Sequence, residues 1–177
     1  MNKSLMLSIQ PKHLVNILNG NKTLELRRNV PKDFKGWVYL YCTKGKPYIR
    51  ELGDNYFTEC SKVDVYKLNG KVVARFWFDE YIAYKYYEDD NYYFAKRPQD
   101  FGYTADEVLK RLCLSRDEFK TYGKGKDLYA WHIKKLEIFD KPKELGEFYK
   151  LSVGKVESAY IQLDKAPQSW RYVYYAN

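Results

Sequence analysis

Between residues 4 and 28 the apolar period switches from two to about four and back to two, and that switch fixes how the chain can begin to fold. Leu5, Leu7 and Ile9 alternate with Met6 and Ser8, which predicts a first strand. Pro11 suits the first turn of a helix, Leu14, Ile17 and Leu18 share one helical face, and Gly20 closes it, so a helix is expected over about 11–19. Lys22–Arg28 then reads as a second strand. A strand alternates its faces, so Leu24 and Leu26 point one way and Thr23, Glu25 and Arg27 the other. Residues two apart on such a face lie roughly 6–7 Å apart. The expectation is a carboxylate beside a guanidinium on an exposed face, with Lys22 at its entrance. On the pattern alone, a solvated strand face beside a helix-capping glycine explains the stretch equally well.

Past the turn Asn29-Val30-Pro31-Lys32, Trp37–Cys42 is apolar on both faces and reads as a central strand. Residues 43–69 carry no clear period; a long loop with a short helix around 56–62 is expected there. Lys71–Glu80 is the clearest strand, with Val72, Ala74, Phe76 and Phe78 on one face and Val73, Arg75, Trp77 and Asp79 on the other. Tyr81 to Tyr103 holds seven tyrosines around an acidic run at Glu88-Asp89-Asp90, with half-buried packing as their expected role. Thr104 with Glu107, and Ser115 with Glu118, each carry the spacing of a capping box ahead of an apolar stripe, which predicts two helices. Leu128–Phe139 changes its apolar phase after Ile133, which predicts one long strand with a bulge near Lys134-Lys135. A short helical piece follows Pro142, then a loop over Gly146–Gly154, and Trp170–Tyr175 is expected to be the closing strand.

A chain of 177 residues suits one domain with sizeable insertions, here expected at about 44–70 and 81–126. Its net charge is +8, and residues 20–50 alone carry eight basic and two acidic residues, so the excess is concentrated around the Lys22–Arg28 strand. Such a patch attracts polyanions, nucleic acid first. Cys42, Cys60 and Cys113 are too few and too scattered for a disulfide framework, and their spacing to His13 and His132 fits no zinc site. Reduced thiols and no visible signal peptide point to a cytoplasmic protein. No apolar run is long enough to span a bilayer, and no metal or cofactor is expected.

The spacing G-x-K-x-x-E-x-R, filled here by Gly20, Lys22, Glu25 and Arg27, resembles the signature of the ASCH domain of the PUA-like superfamily. The lead-in Ser8-Ile9-Gln10-Pro11 to Ile17-Leu18-Asn19-Gly20 is similar to that family's strand and helix. Trp131-His132-Ile133 and Ala166-Pro167-Gln168-Ser169-Trp170 resemble late strands of its phage and bacterial members. The resemblance implies an α+β fold: a small PUA-like β-barrel of about five to six strands, with flanking helices and a helical insertion, across residues 1–177.

The resemblance also implies a cleft lined by the signature, and members of the superfamily mostly bind RNA or modified bases. In that reading Lys22, Arg27 and Arg28 contact phosphates, Glu25 accepts from a base amino group, and Arg75, Trp77 and Trp131 complete the wall, Trp77 or Trp131 stacking on the base. The alternative is a hydrolase of acylated cytidine nucleosides or of RNA, with Lys22, Thr23 and Glu25 as its catalytic set. The hydrolytic members pair the signature lysine with a threonine and with a glutamate on a later strand. Here Glu25 stands where that threonine is expected, and Arg75 near the second acid, with Asp79 and Glu80 the next carboxylates along. A protein–protein module, carried by the tyrosine-rich stretch, is the third reading. Nucleic-acid binding, with single-stranded RNA or an unpaired or modified base as ligand, is the expectation carried forward.

Overall fold

The computed structural model describes residues 1–44, 68–88, 91–96, 102–154 and 158–175. The expected short helix at 56–62, most of the 44–70 insertion and Cys60 lie outside them. The architecture is α+β, as the sequence reading expects, with eleven strands and three α-helices among the described residues. They fall into two compact units: residues 1–19, 36–76 and 136–177 form one, and 20–35 and 77–135 the other.

The first unit is built on a seven-stranded sheet in the order β10-β9-β11-β1-β3-β4-β8. Its strands are β1 (Asn2–Ile9), β3 (Gly36–Cys42), β4 (Val72–Phe78), β8 (Lys134–Lys143), β9 (Phe148–Val153), β10 (Ser158–Gln162) and β11 (Trp170–Tyr175). β1 runs parallel to β3, with Leu5 opposite Val38, and antiparallel to β11, with Leu5 opposite Tyr172. Ser4 to Ile9 are therefore buried on both faces, the continuous burial expected of an interior strand with a parallel neighbour. Helix α1 (Pro11–Leu18) starts on its proline and buries Pro11, Leu14, Val15 and Ile17. Met6, Tyr39, Val72, Phe148 and Val173 make a core whose rings meet edge to face, Tyr39 against Phe148 at 4.9 Å. Cys42 is buried in β3, and burial pushes its thiol up to about 12, so it stays protonated as a packing residue.

The second unit is a four-stranded sheet in the order β2-β7-β5-β6 with two helices. Its strands are β2 (Leu24–Arg27), β5 (Tyr81–Tyr87), β6 (Asn91–Lys96) and β7 (Leu128–His132), and its helices are α2 (Ala105–Leu112) and α3 (Arg116–Gly123). Both helices open on the reciprocal capping boxes read from the sequence, Thr104 with Glu107 and Ser115 with Glu118. Leu24, Leu26, Ile82, Tyr84, Leu128 and Ala130 pack as one sheet face against Val108, Leu112 and Phe119. Helices that bury so few side chains, Val108 and Leu112 in α2 and Phe119 in α3, depend on that face for their stability.

Four expectations are corrected. Neither sheet closes on itself into a barrel of five or six strands; the described strands form two open arrays. Tyr81–Tyr103 contains an antiparallel hairpin, β5 with β6, where no regular element was legible. The long strand over 128–139 is two strands in different sheets: β7 ends at His132 and β8 starts at Lys134, with Ile133 between them, and Lys135 inside β8 takes a left-handed conformation with φ 46°. The expected loop over 146–154 is mostly β9, and β10 had no anticipated counterpart.

Candidate functional site

The signature lies in the second unit, and its charges are turned inward. Lys22 Nζ donates to the Leu112 carbonyl at 2.8 Å and stands 3.3 Å from Glu25 Oε2. Arg27 Nη2 meets Glu25 Oε1 at 2.8 Å. The three side chains are only 2%, 7% and 11% exposed. The exposed face expected for them is therefore a buried ion triad, with the carboxylate between two cations.

The reason is the edge position of β2 beside two helix ends. The last carbonyls of a helix lack an intrahelical partner. Lys22 takes up Leu112 O at the end of α2, and the Thr23 amide takes up Arg111 O at 3.0 Å. Arg28 does the same at α3, where Nε and Nη2 donate to Tyr122 O at 3.0 and 2.6 Å and the guanidinium lies over the Tyr122 ring. Cations at helix C-termini also complement the helix dipole. Thr23 Oγ1 in turn accepts from Arg111 Nη1 at 3.2 Å.

The aromatic residues expected on the ligand wall divide. Trp131 is fully buried, its ring 4.8 Å from Phe78 and its Nε1 donating to Asn29 O at 3.3 Å. It fixes the start of the 29–35 loop and backs Phe78, and it offers no face to a base. Trp77 is half-buried on β4. Arg75 belongs to the first unit, where its Nε pairs with Glu137 Oε2 at 2.6 Å and its guanidinium stacks on Trp37 at 4.1 Å.

What the second unit does present is a cleft of about 500 Å³, lined by Val30, Pro31, Lys32, Asp33, Phe34 and Lys35 together with Phe78, Asp79 and Tyr81. Phe34 is stacked with Phe78, ring centroids 6.4 Å apart, which gives an apolar floor. Asp79 and Tyr81 add polar groups, and Lys32 and Lys35 are exposed. The sequence reads residues 29–32 as a turn and counts Lys32 and Lys35 in the basic patch; the further signal there is Phe34, an aromatic ring between the two cations.

Next to the cleft, Lys134 Nζ is held by Asp79 Oδ1 at 3.0 Å and Glu80 Oε2 at 2.8 Å. These two contacts hold the lysine above its ordinary range, the Glu80 hydrogen bond first. His132 donates its backbone amide to Glu80 O at 3.1 Å. Burial, and then the Lys134 charge, holds its imidazole below the usual histidine range, so the ring is neutral at pH 7. Among the described residues no cluster of His, Cys, Asp and Glu has the geometry of a metal site. No helix among them is long and apolar enough to cross a membrane.

No family model matches the sequence, and no curated protein matches it. Among solved structures, the chain is similar to the crystal structure of ASCH from Zymomonas mobilis, at 14% identity and a TM-score of 0.49, over 96% of this chain and 86% of that one. Two single-substitution variants of that protein align at 15% identity and TM-scores of 0.47, one over 97% of this chain and 90% of its own, the other over 96% and 87%. All three are ASCH structures, the family that the Gly20–Arg27 spacing resembles.

Proposed function

We propose that this chain binds single-stranded nucleic acid, RNA first, and seats one unpaired or modified base in the cleft of the 30–35 loop. The observation that carries the reading is the composition of that cleft: an aromatic floor, a carboxylate at the wall and two exposed lysines. Its volume of about 500 Å³ lies within the range of ligand pockets and admits a nucleobase. An aromatic floor suits a base face, and Asp79 can accept from the exocyclic amino group of cytosine, adenine or guanine. Lys32 and Lys35 stand where flanking phosphates would pass. The buried triad, in this reading, is the frame of the site: it anchors β2, from which the loop departs.

The test is an anisotropy titration of a short single-stranded RNA at two salt concentrations. Binding should weaken steeply as salt rises, and Lys32→Ala and Lys35→Ala should each lower the slope of log affinity against log salt by about 0.7. Asp79→Asn should change the preferred base more than the affinity. A lysine double variant that binds like the parent would overturn the cleft reading.

A hydrolase acting on an acylated cytidine nucleoside is the second reading, favoured by the neutral His132 beside Glu80 and Lys134. Turnover by the parent chain that is lost in Lys134→Ala would place it first.

A further inference from the structure

The face of the four-stranded sheet that buries Trp131 opposite Tyr81 also carries, farther along β5, aromatic rings outside the core cluster of this unit. Along β5, Tyr81, Ala83, Lys85 and Tyr87 alternate onto the same side. Residues paired across strands share a face, and the register sets Tyr129 opposite Ala83 and Tyr93 opposite Lys85. Outward from the cleft, the face therefore reads Tyr81, Tyr129, Lys85, Tyr93, Tyr87. Tyr81 and Tyr129 are half-buried and meet edge to face at 5.8 Å. Tyr93 and Tyr87 are 54% and 61% exposed. On the opposite face, Tyr84 and Tyr92 each pack on Phe119 at 5.3 Å. The sheet thus sorts its tyrosines: one set builds the core, and the other forms a row that starts half-buried at the cleft wall and ends exposed at Tyr93 and Tyr87.

Charge indicates what the row is for. Lys85 sits among the rings, close enough for Tyr129 and Tyr93 to bear on its charge, and it pairs with Asp127. The adjoining turn from α3 to β7 adds the exposed Lys124 and Lys126. Aromatic rings interleaved with cations make a surface on which successive bases stack while phosphates meet lysines, whatever the sequence. Glu88, exposed just past the end of β5, repels phosphate and ends the row.

We propose that this face is a stacking track for the nucleotides next to the base in the cleft, with a single strand lying along β5 over Tyr129, Tyr93 and Tyr87. The inference rests on the cleft reading and extends it from one base to a run. From Tyr81 to Tyr87 the strand rises about 20 Å, room for about four nucleotides at the short end of single-module site sizes.

The test is a ladder of fluorescent oligouridines, from about two to about eight nucleotides, titrated with the parent chain and with Tyr87→Ala/Tyr93→Ala. Affinity should rise with length and level off near four nucleotides. The double variant should lose roughly tenfold or more on the longer oligomers, keep its affinity for the shortest, and melt like the parent. Tyr87→Phe/Tyr93→Phe should bind as the parent does, because the ring and not the hydroxyl stacks. Equal binding of long oligomers by the alanine variant and the parent would overturn the track and leave the cleft standing. No binding of any length by the parent would overturn both.

Discussion

Lys22→Ala will melt far below the parent protein, by roughly 6–20 °C, from a loss of about 3–5 kcal/mol. The amine removed is 2% exposed and holds both Glu25 and the final carbonyl of α2. Breaking a buried pair costs more than its attraction alone, because the remaining carboxylate stays out of water with one cation fewer. Thermal unfolding by circular dichroism measures the effect. A double-mutant cycle of Lys22→Met with Glu25→Gln should then return a coupling of at least about 1 kcal/mol, since neutralising the carboxylate removes most of the penalty. A Lys22→Ala protein that melts with the parent and only loses ligand affinity would mean that the lysine works at an exposed surface.

Trp131→Ala will be about as damaging, again about 3–5 kcal/mol, since it empties a fully buried indole site. The indole supports two parts of the cleft at once, Phe78 by ring contact and the 29–35 loop through Asn29. Trp131→Phe keeps the ring contact and loses the hydrogen bond, so it should stay folded and cost about 1–2 kcal/mol. Chemical denaturation gives both numbers. Preserved RNA binding by the folded phenylalanine variant, with intrinsic fluorescence unchanged at saturation, is the expected result for a supporting tryptophan. Selective loss of binding without loss of stability would return Trp131 to the ligand wall.

Legibility in the sequence followed the range of the interactions. The opening strand and helix, the central strand over 37–42, both capping boxes and the closing strand were readable, because alternation and capping are set by neighbours in the chain. The hairpin over 81–96 was not, since its tyrosines serve both faces and erase the period; only cross-strand pairing assigns Tyr84 inward and Tyr87 outward. The break at Ile133 showed as a change of phase, and whether it made a bulge or a change of sheet was a matter of partners distant in sequence. The signature residues were found by their spacing, but their environment was misjudged. A charged strand looks solvated until two helix C-termini, formed some ninety residues later, arrive to claim its cations. The cleft was missed for the converse reason: its lining joins a loop at 30–35 to residues at 78–81, and neither segment is distinctive alone.

Arg28 brings ligand binding and helix integrity into one equilibrium. Its exposed guanidinium already satisfies the Tyr122 carbonyl at the end of α3. A phosphate that drew it away would leave that carbonyl to water and loosen the last helical turn, so any anion using Arg28 must pay for fraying out of its own affinity. Thermodynamic reciprocity then runs the other way as well: conditions that fray α3 release a cation to the solvent and tighten such an anion. Amide exchange in residues 120–124 therefore reports whether a bound strand reaches this far, without any probe on the nucleic acid.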